Sequence, residues 1–467
     1  MNKINTIIAS TVVALPLMAF ASADTPYQDA AKEVKKEILT PYKAVKDPAE
    51  QSAILARMVF SCNENMTDPM GNKVQFPFTL SSAVTWHRYN CTFTLADVSG
   101  KVIFNSPVYK INQLNVTYNG NNIEPAVAYQ NYNMGSEAKP NYLWMGKYVQ
   151  PLNLMLRDQS GAVAADSKAI AGVNGGYDYR VDAWERDFPH DNICYPRYSE
   201  ALDKIKFFTH PNPKKCAMGD NSMPSCAKPG EPLPITDDMG DSLVYLASDQ
   251  RNKNTWRAPE TPFQSYNCGG RTEDIDRGAI IFYGDMLNAK RTSPSKDNVT
   301  ELATGTEPAS AALGAGPLLI QNYHFVYDQA NAEEGMGLDN YEIGGATGVG
   351  YTGTPGNDYT AYIVNVDGHD NQAGMHNWIL GLYFQDYLHA KGAVALGNGG
   401  DATMWINPNT PTVQAVLKDT TNSNYAFFEA NFVKGSHNGV VSNCTYTNGA
   451  ANCSARPVHD GLFVYNK

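Results

Sequence analysis

Ala169-Ile170-Ala171-Gly172-Val173-Asn174-Gly175-Gly176-Tyr177-Asp178 is an apolar run that ends in an amide, two glycines and an acid. It reads as a buried strand entering a turn where missing side chains let the backbone approach a ligand. Two later segments repeat the design. Ile363-Val364-Asn365-Val366-Asp367-Gly368 is a strand closed by an acid and a glycine, and Ala393-Val394-Ala395-Leu396-Gly397-Asn398-Gly399-Gly400-Asp401-Ala402-Thr403-Met404 is a third. Between the last two, Ile379, Leu382, Tyr383 and Tyr387 fall on one helical face, which predicts a helix over about 375–390 with Gly392 as its stop. The alternation predicts an α+β body with a mixed sheet over about 150–467, with the 169–173 and 361–366 strands in one sheet.

Upstream, residues 58–150 read as a β-rich region. Trp86, Cys91, Phe93 and Leu95 stand among polar residues, and Ser99-Gly100 and Asn119-Gly120 supply turns. Residues 24–57 hold a charged amphipathic helix around Lys32–Ile38, with Pro41 as a plausible stop. From 182 to 271 the chain is rich in Pro, Asn and Asp and holds four cysteines, as a disulfide-pinned insertion would. The domain reading is therefore 24–57, 58–150 and 151–467, the last carrying the 182–271 insertion.

The first 23 residues fix the expected compartment. Lys3 opens a basic stretch, Thr6–Phe20 is apolar, and Ala21-Ser22-Ala23 offers a cleavage site, the pattern of a signal peptide rather than a membrane span. All eight cysteines follow it, as expected of a secreted or periplasmic protein. Nearness suggests Cys62–Cys91, Cys216–Cys226 and Cys444–Cys453, leaving Cys194–Cys268. With 36 basic against 47 acidic residues, the net charge of −11 argues against nucleic acid or anionic membranes as partners.

Several motifs fall away. Gly348-Val349-Gly350-Tyr351-Thr352-Gly353 has the letters of a dinucleotide loop, but Thr354-Pro355-Gly356 follows where a helix must begin. Asn365, Asp367 and His369 alternate like the opening of a calcium loop, without its sixth-position Gly or twelfth-position Glu. Neither a metal nor a cofactor is expected.

In order, the remaining segments resemble the phosphodiester glycosidase family. Gly172–Tyr177 matches its G-[IV]-N-G-G-[FY] turn, and Gly314-Ala315-Gly316-Pro317-Leu318-Leu319 matches G-x-G-P-x-L. Thr347-Gly348-Val349-Gly350 retains most of R-T-[AG]-[IV]-G, Val366-Asp367-Gly368 follows, and Leu396–Met404 matches L-D-G-G-G-[ST]-[ST]-T-M in part. Arg456-Pro457-Val458 precedes a last strand. The resemblance covers about 150–467. Two departures stand out: Ala346 occupies the position of the family's Arg, and Gly397 that of its Asp, while Asp401 adds a carboxylate four residues on. The lost Arg is the residue type best suited to phosphate.

The resemblance implies an exported hydrolase acting on a sugar phosphodiester or related glycoside. Asp367 is the first candidate for catalysis, with Asp401 and Asp178 as partners, because glycosidic cleavage uses carboxyls as acid and base or nucleophile. Asn174, Gly175, Gly176, Gly368, His369, Asn398, Gly399 and Gly400 are the substrate-binding candidates, and His369 and His376 candidate proton carriers. Competing readings are a non-catalytic carbohydrate-binding or cell-surface protein on the same scaffold, favoured by the lost Arg and Asp, and an exported adhesin.

Overall fold

A computed structural model describes residues 25–64, 66–67, 71, 73–117, 123–127, 132–133, 142–143, 169–176, 178–180, 194–198, 205–209, 238–240, 244–246, 277–283 and 286–292. It also describes 308–314, 316–327, 343–354, 357–368, 373–399, 402–435, 439–453 and 460–465.

The fold is α+β and rich in strands. Its largest sheet has ten strands in the order Met58–Asn63, Val84–Ala96, Tyr109–Thr117, Asn357–Val366, Ala346–Thr354, Gly392–Ala395, Leu318–Gln321 and His324–Phe325, with Phe78–Ser81 and Val102–Asn105 also paired to Val84–Ala96. The β-rich N-terminal stretch and the C-terminal segment thus share one sheet, joined where Thr117–Ile111 pairs with Thr360–Val366.

The sheet was expected to be mixed, yet all its described pairs are antiparallel. The helical crossover from 366 to 392 explains this. It brings two strands of the same direction to either side of Ala346–Thr354, which runs opposite to both.

A second sheet has the order Met404–Ile406, Ala169–Asn174, Asp460–Tyr465, Ile123–Val127. The 169–173 and 361–366 strands therefore lie in two sheets rather than one. Burial explains the separation: Ile170, Ala171, Val173, Met404, Ile406, Leu462 and Val464 of the small sheet share one apolar core with Trp86, Leu114, Ile363 and Val349 of the large one. Each strand supplies apolar side chains to that core from its own side. The opposite face of the large sheet packs Phe93, Ile111, Val364 and Val366 against Trp378, Ile379, Tyr383 and Phe384. Within the expected insertion, Val244–Leu246 pairs with Ala311–Gly314 of a third sheet.

Two helix stops differ from expectation. The N-terminal helix runs Thr25–Val34, widens into a π turn over Lys35–Leu39 and continues over Thr40–Ala44, through Pro41. In the π turn the Thr40 N–H already reaches back to the Lys35 carbonyl, and Pro41 enters at the first positions of the next turn, where its missing N–H does no harm. The later helix, Asn377–Leu382, also widens into a π turn over Tyr383–Tyr387. His389, at φ 51°, takes the left-handed position that ends it, and Gly392 opens the following strand.

The Cys62–Cys91 and Cys444–Cys453 disulfides are present, each between directly opposed residues of antiparallel strands. Side chains of the other four cysteines lie outside the described residues, as does the stretch 1–23 expected to be a signal peptide. No helix among the described residues is long and apolar enough to cross a membrane.

Candidate functional site

Opposed residues on antiparallel strands project to the same face of a sheet. On the face toward the small sheet, Trp86, Leu114, Ile363, Val349 and Val394 form one transverse row across five strands, all fully buried. Two residues along, the chemistry switches. Arg88 stands opposite Asn112, Asn112 opposite Asn365, and Asn365 opposite Thr347. All four are buried, and the Oδ1 atoms of Asn112 and Asn365 have no hydrogen-bond partner.

This polar row meets the small sheet at Asn174, which closes the Ala169–Asn174 strand. Its Oδ1 accepts from the Thr347 hydroxyl at 2.7 Å and from the Thr403 N–H at 3.1 Å. Its Nδ2 donates to the Gly397 carbonyl at 2.8 Å, and Thr347 accepts from Asn365 Nδ2 at 3.0 Å. A fully buried amide with its bonding capacity filled in this way fixes the ends of four strands relative to one another.

Asp367 follows immediately. It is 1% exposed, its N–H donates to the Lys110 carbonyl at 2.9 Å, and its Oδ1 accepts from the Asn443 N–H at 2.9 Å. Burial pushes its carboxyl above the usual carboxylate range, partly opposed by the positive charge of Arg88, the Asn443 hydrogen bond and Lys110. Asn443 also accepts the Gly368 N–H through Oδ1 at 2.7 Å and donates to the Ala402 carbonyl at 2.9 Å. Asp367 and Asn174 are thereby joined through Asn443 and the adjacent residues Ala402 and Thr403.

Two glycines permit the approach. A Cβ on Gly368 would stand 2.1 Å from the Gly345 nitrogen. One on Gly397 would lie 2.7 Å from the Gly176 carbonyl oxygen and 3.0 Å from Asn174 Nδ2. The Asp that the family pattern carries at position 397 would need this corner rebuilt.

Of the residues expected from sequence, Asn174, Gly175, Gly176, Asp367, Gly368, Asn398 and Gly399 are described. Gly399 donates its N–H to the Gly345 carbonyl, and the Gly175 carbonyl accepts from Gly397. Asp401, Gly400 and His369 lie outside the described residues, as does the side chain of Asp178. His376 caps the Asn377–Leu382 helix with Nδ1, and burial lowers its pKa to about 4, so the ring is neutral near pH 7. Among the described residues no group of acids, His and Cys is arranged to hold a metal.

Arg88, Asn112 and Asn443 were missed, while Thr403, Asn365 and Thr347 entered the sequence reading only as members of strand segments and motif matches, with no site role. Cross-strand registers between positions 88, 112, 365 and 347 leave no local sequence pattern. The one available signal is the pair of polar residues interrupting Tyr109–Thr117 and Asn357–Val366 where apolar ones are due.

The model of the phosphodiester glycosidase family matches residues 282–465. No curated protein matches the sequence. Among solved structures, the zebrafish N-acetylglucosamine-1-phosphodiester alpha-N-acetylglucosaminidase catalytic domain, auto-inhibited by its pro-peptide, is similar at 10% identity and a TM-score of 0.42, over 88% of this chain and 89% of that one. A hypothetical protein from Synechocystis is similar at 11% identity and a TM-score of 0.32, over 83% of this chain and 63% of that one. Over residues 282–465 the chain is therefore similar to the phosphodiester glycosidase family.

Proposed function

We propose that the protein is an exported glycosidase-type hydrolase acting on a sugar linked through its anomeric carbon to phosphate or a related acceptor. The match over 282–465 supports the reaction class. The disulfides and the apolar leader in the sequence support export.

The observation that carries the reading is the Asp367 carboxyl, buried two residues beyond the polar row with its proton affinity raised by desolvation. A carboxyl that holds its proton can deliver it to the leaving oxygen as the glycosidic C–O bond breaks, while water adds to the anomeric carbon. Asp401 and Asp178 are the proposed partners for activating that water. Asn174, Gly175, Gly176, Gly368, His369, Asn398, Gly399 and Gly400 are the proposed substrate contacts. A phosphate leaving group needs less protonation than a sugar alkoxide, so one placed acid can suffice for it.

The test is turnover of a panel of sugar phosphodiesters and neutral glycosides by the mature protein and by Asp367→Asn. The amide can still accept the Asn443 N–H, so folding should survive. Turnover should fall at least about a hundredfold with binding retained, the usual range for loss of a general acid. Equal turnover in both proteins would remove Asp367 from the chemistry. The second reading, a non-catalytic carbohydrate binder, is favoured by Ala346 and Gly397 at the departed motif positions. Binding without turnover in both proteins would establish it.

A further inference from the structure

Arg88 is contributed by the β-rich region, outside the segment that matches the family. It is 6% exposed, and its guanidinium lies over the Phe427 ring, 4.8 Å from the centroid. Among the described residues it makes no hydrogen bond and no ion pair, although the Asp367 carboxylate feels its charge. A cation held over a ring face keeps its N–H donors unspent, because the ring supplies no hydrogen-bond acceptor oxygen. Asn112 stands opposite it and Asn365 one strand further along the same row, each with a buried, unpartnered Oδ1.

Buried polar groups are normally paired, and leaving them unmade costs about 1–3 kcal/mol each. This row therefore combines a forked cation lacking an anion with two acceptors lacking donors. The complement is one molecule that carries an anionic oxygen group and hydroxyls. A sugar phosphate has both.

We infer that Arg88 is the anion-recognition residue of this site, binding the phosphate of the substrate in place of the arginine absent at position 346, with Asn112 and Asn365 accepting from sugar hydroxyls. The inference rests on the reading of the Asp367 region as the substrate site, and it deepens that reading by naming the contact that selects a charged substrate. The planar fork suits two phosphate oxygens at once. Lys110, exposed beside Asp367, is the rival cation and supplies the control.

The experiment is calorimetric binding of inorganic phosphate, α-glucose 1-phosphate and, as the neutral reference, methyl α-glucoside. The proteins are wild type, Arg88→Met, Arg88→Lys and Lys110→Met. Arg88→Met should weaken the two anions at least about tenfold and the neutral glycoside by less than about twofold, with Arg88→Lys between. Lys110→Met should change anion binding by no more than about threefold, as expected of a solvated charge. Should Arg88→Met fail to fold, the ratio of anion to glycoside affinity in Arg88→Lys decides alone.

Anion affinity unchanged in the Arg88 variants, a parallel loss for all ligands, or a wild type that binds neither anion would each overturn the assignment. Binding is read without turnover, so the two ideas separate. Arg88-dependent anion binding in a protein that hydrolyses nothing would sink the enzymatic reading alone. Asp367-dependent hydrolysis with anion binding indifferent to Arg88 would sink this one.

Discussion

Two polar assemblies occupy opposite faces of the same central strands, and they are built on opposite principles. On the helix-covered face, a closed chain of donors runs through five side chains. The Tyr383 hydroxyl donates to Gln113 Oε1 at 2.7 Å, Gln113 Nε2 to Asn115 Oδ1 at 2.7 Å, Asn115 Nδ2 to His87 Nε2 at 3.0 Å, and His87 Nδ1–H to Glu64 Oε1 at 2.6 Å. The direction of the chain assigns the histidine tautomer, since Nε2 must accept. On the other face, Arg88, Asn112 and Asn365 end in groups with nothing to bond. A closed chain stabilises the fold, whereas an open row leaves bonding capacity for something the chain does not contain.

Gln113 and Asn112 are neighbours in sequence that point to the two faces, so paired substitutions test the contrast directly. Gln113→Leu should be the most damaging, at about 4 kcal/mol in urea unfolding, because it orphans the Tyr383 hydroxyl and the Asn115 amide at about 2 kcal/mol apiece. A loss below about 1 kcal/mol would show that the closed chain is decorative.

Asp386 sharpens the comparison, because it sits in the same π turn as Tyr383 yet its Oδ2 has no partner. Burial raises its pKa to about 7. Stability from the protonated form is fully present below the ordinary carboxylate pKa near 3.8 and is lost as pH rises through about 7. Asp386→Asn should therefore stabilise the protein at pH 8, by no more than about 3 kcal/mol after allowance for partial solvent screening, and leave pH 3.5 unchanged. Thermal melts at the two pH values give the difference, and an equal shift at both would disprove the assignment.

Smaller still, Tyr383→Phe should cost about 1–2 kcal/mol by leaving Gln113 Oε1 unpaired. Asn112→Leu should change stability by less than about 0.5 kcal/mol in either direction, because its Oδ1 is already without a partner and the new side chain keeps the same γ-branched heavy-atom skeleton. The same substitution should weaken sugar phosphate binding. If it instead destabilised as strongly as Gln113→Leu, the two faces would not differ in kind.

How much of this was legible in the sequence depends on range. Cys444–Cys453 and Cys62–Cys91 followed from proximity, the strand ends at Asn174 and Asp367 from apolar runs closing in polar residues, and the helix near 377 from apolar residues on one face, because each signal is contained within a short stretch. Pro41 and Gly392 misled as helix stops because π turns and an αL histidine do locally what those residues do elsewhere. Asn448 and Gly449, both at positive φ, make the hairpin between the last two cysteines and were overlooked, although Asn-Gly is a strong turn signal. The placement of 169–173 and 361–366 in separate sheets, and the row from Arg88 to Thr347, depend on which strands become neighbours across gaps of up to 296 residues (465 − 169). No periodicity encodes that.

The pairing of Tyr109–Thr117 with Asn357–Val366 makes the borders of homology differ from the borders of folding. A fragment cut to 282–465 would bare Thr360–Val366 along an edge evolved to be interior, an open template for pairing with other chains. It would also lack Ala169–Asn174, the strand that sits between Met404–Ile406 and Asp460–Tyr465. Such a fragment should collect in the insoluble fraction on expression while the mature chain stays in solution. The most recognisable part of this molecule is a half-sheet whose missing side is written some 250 residues earlier.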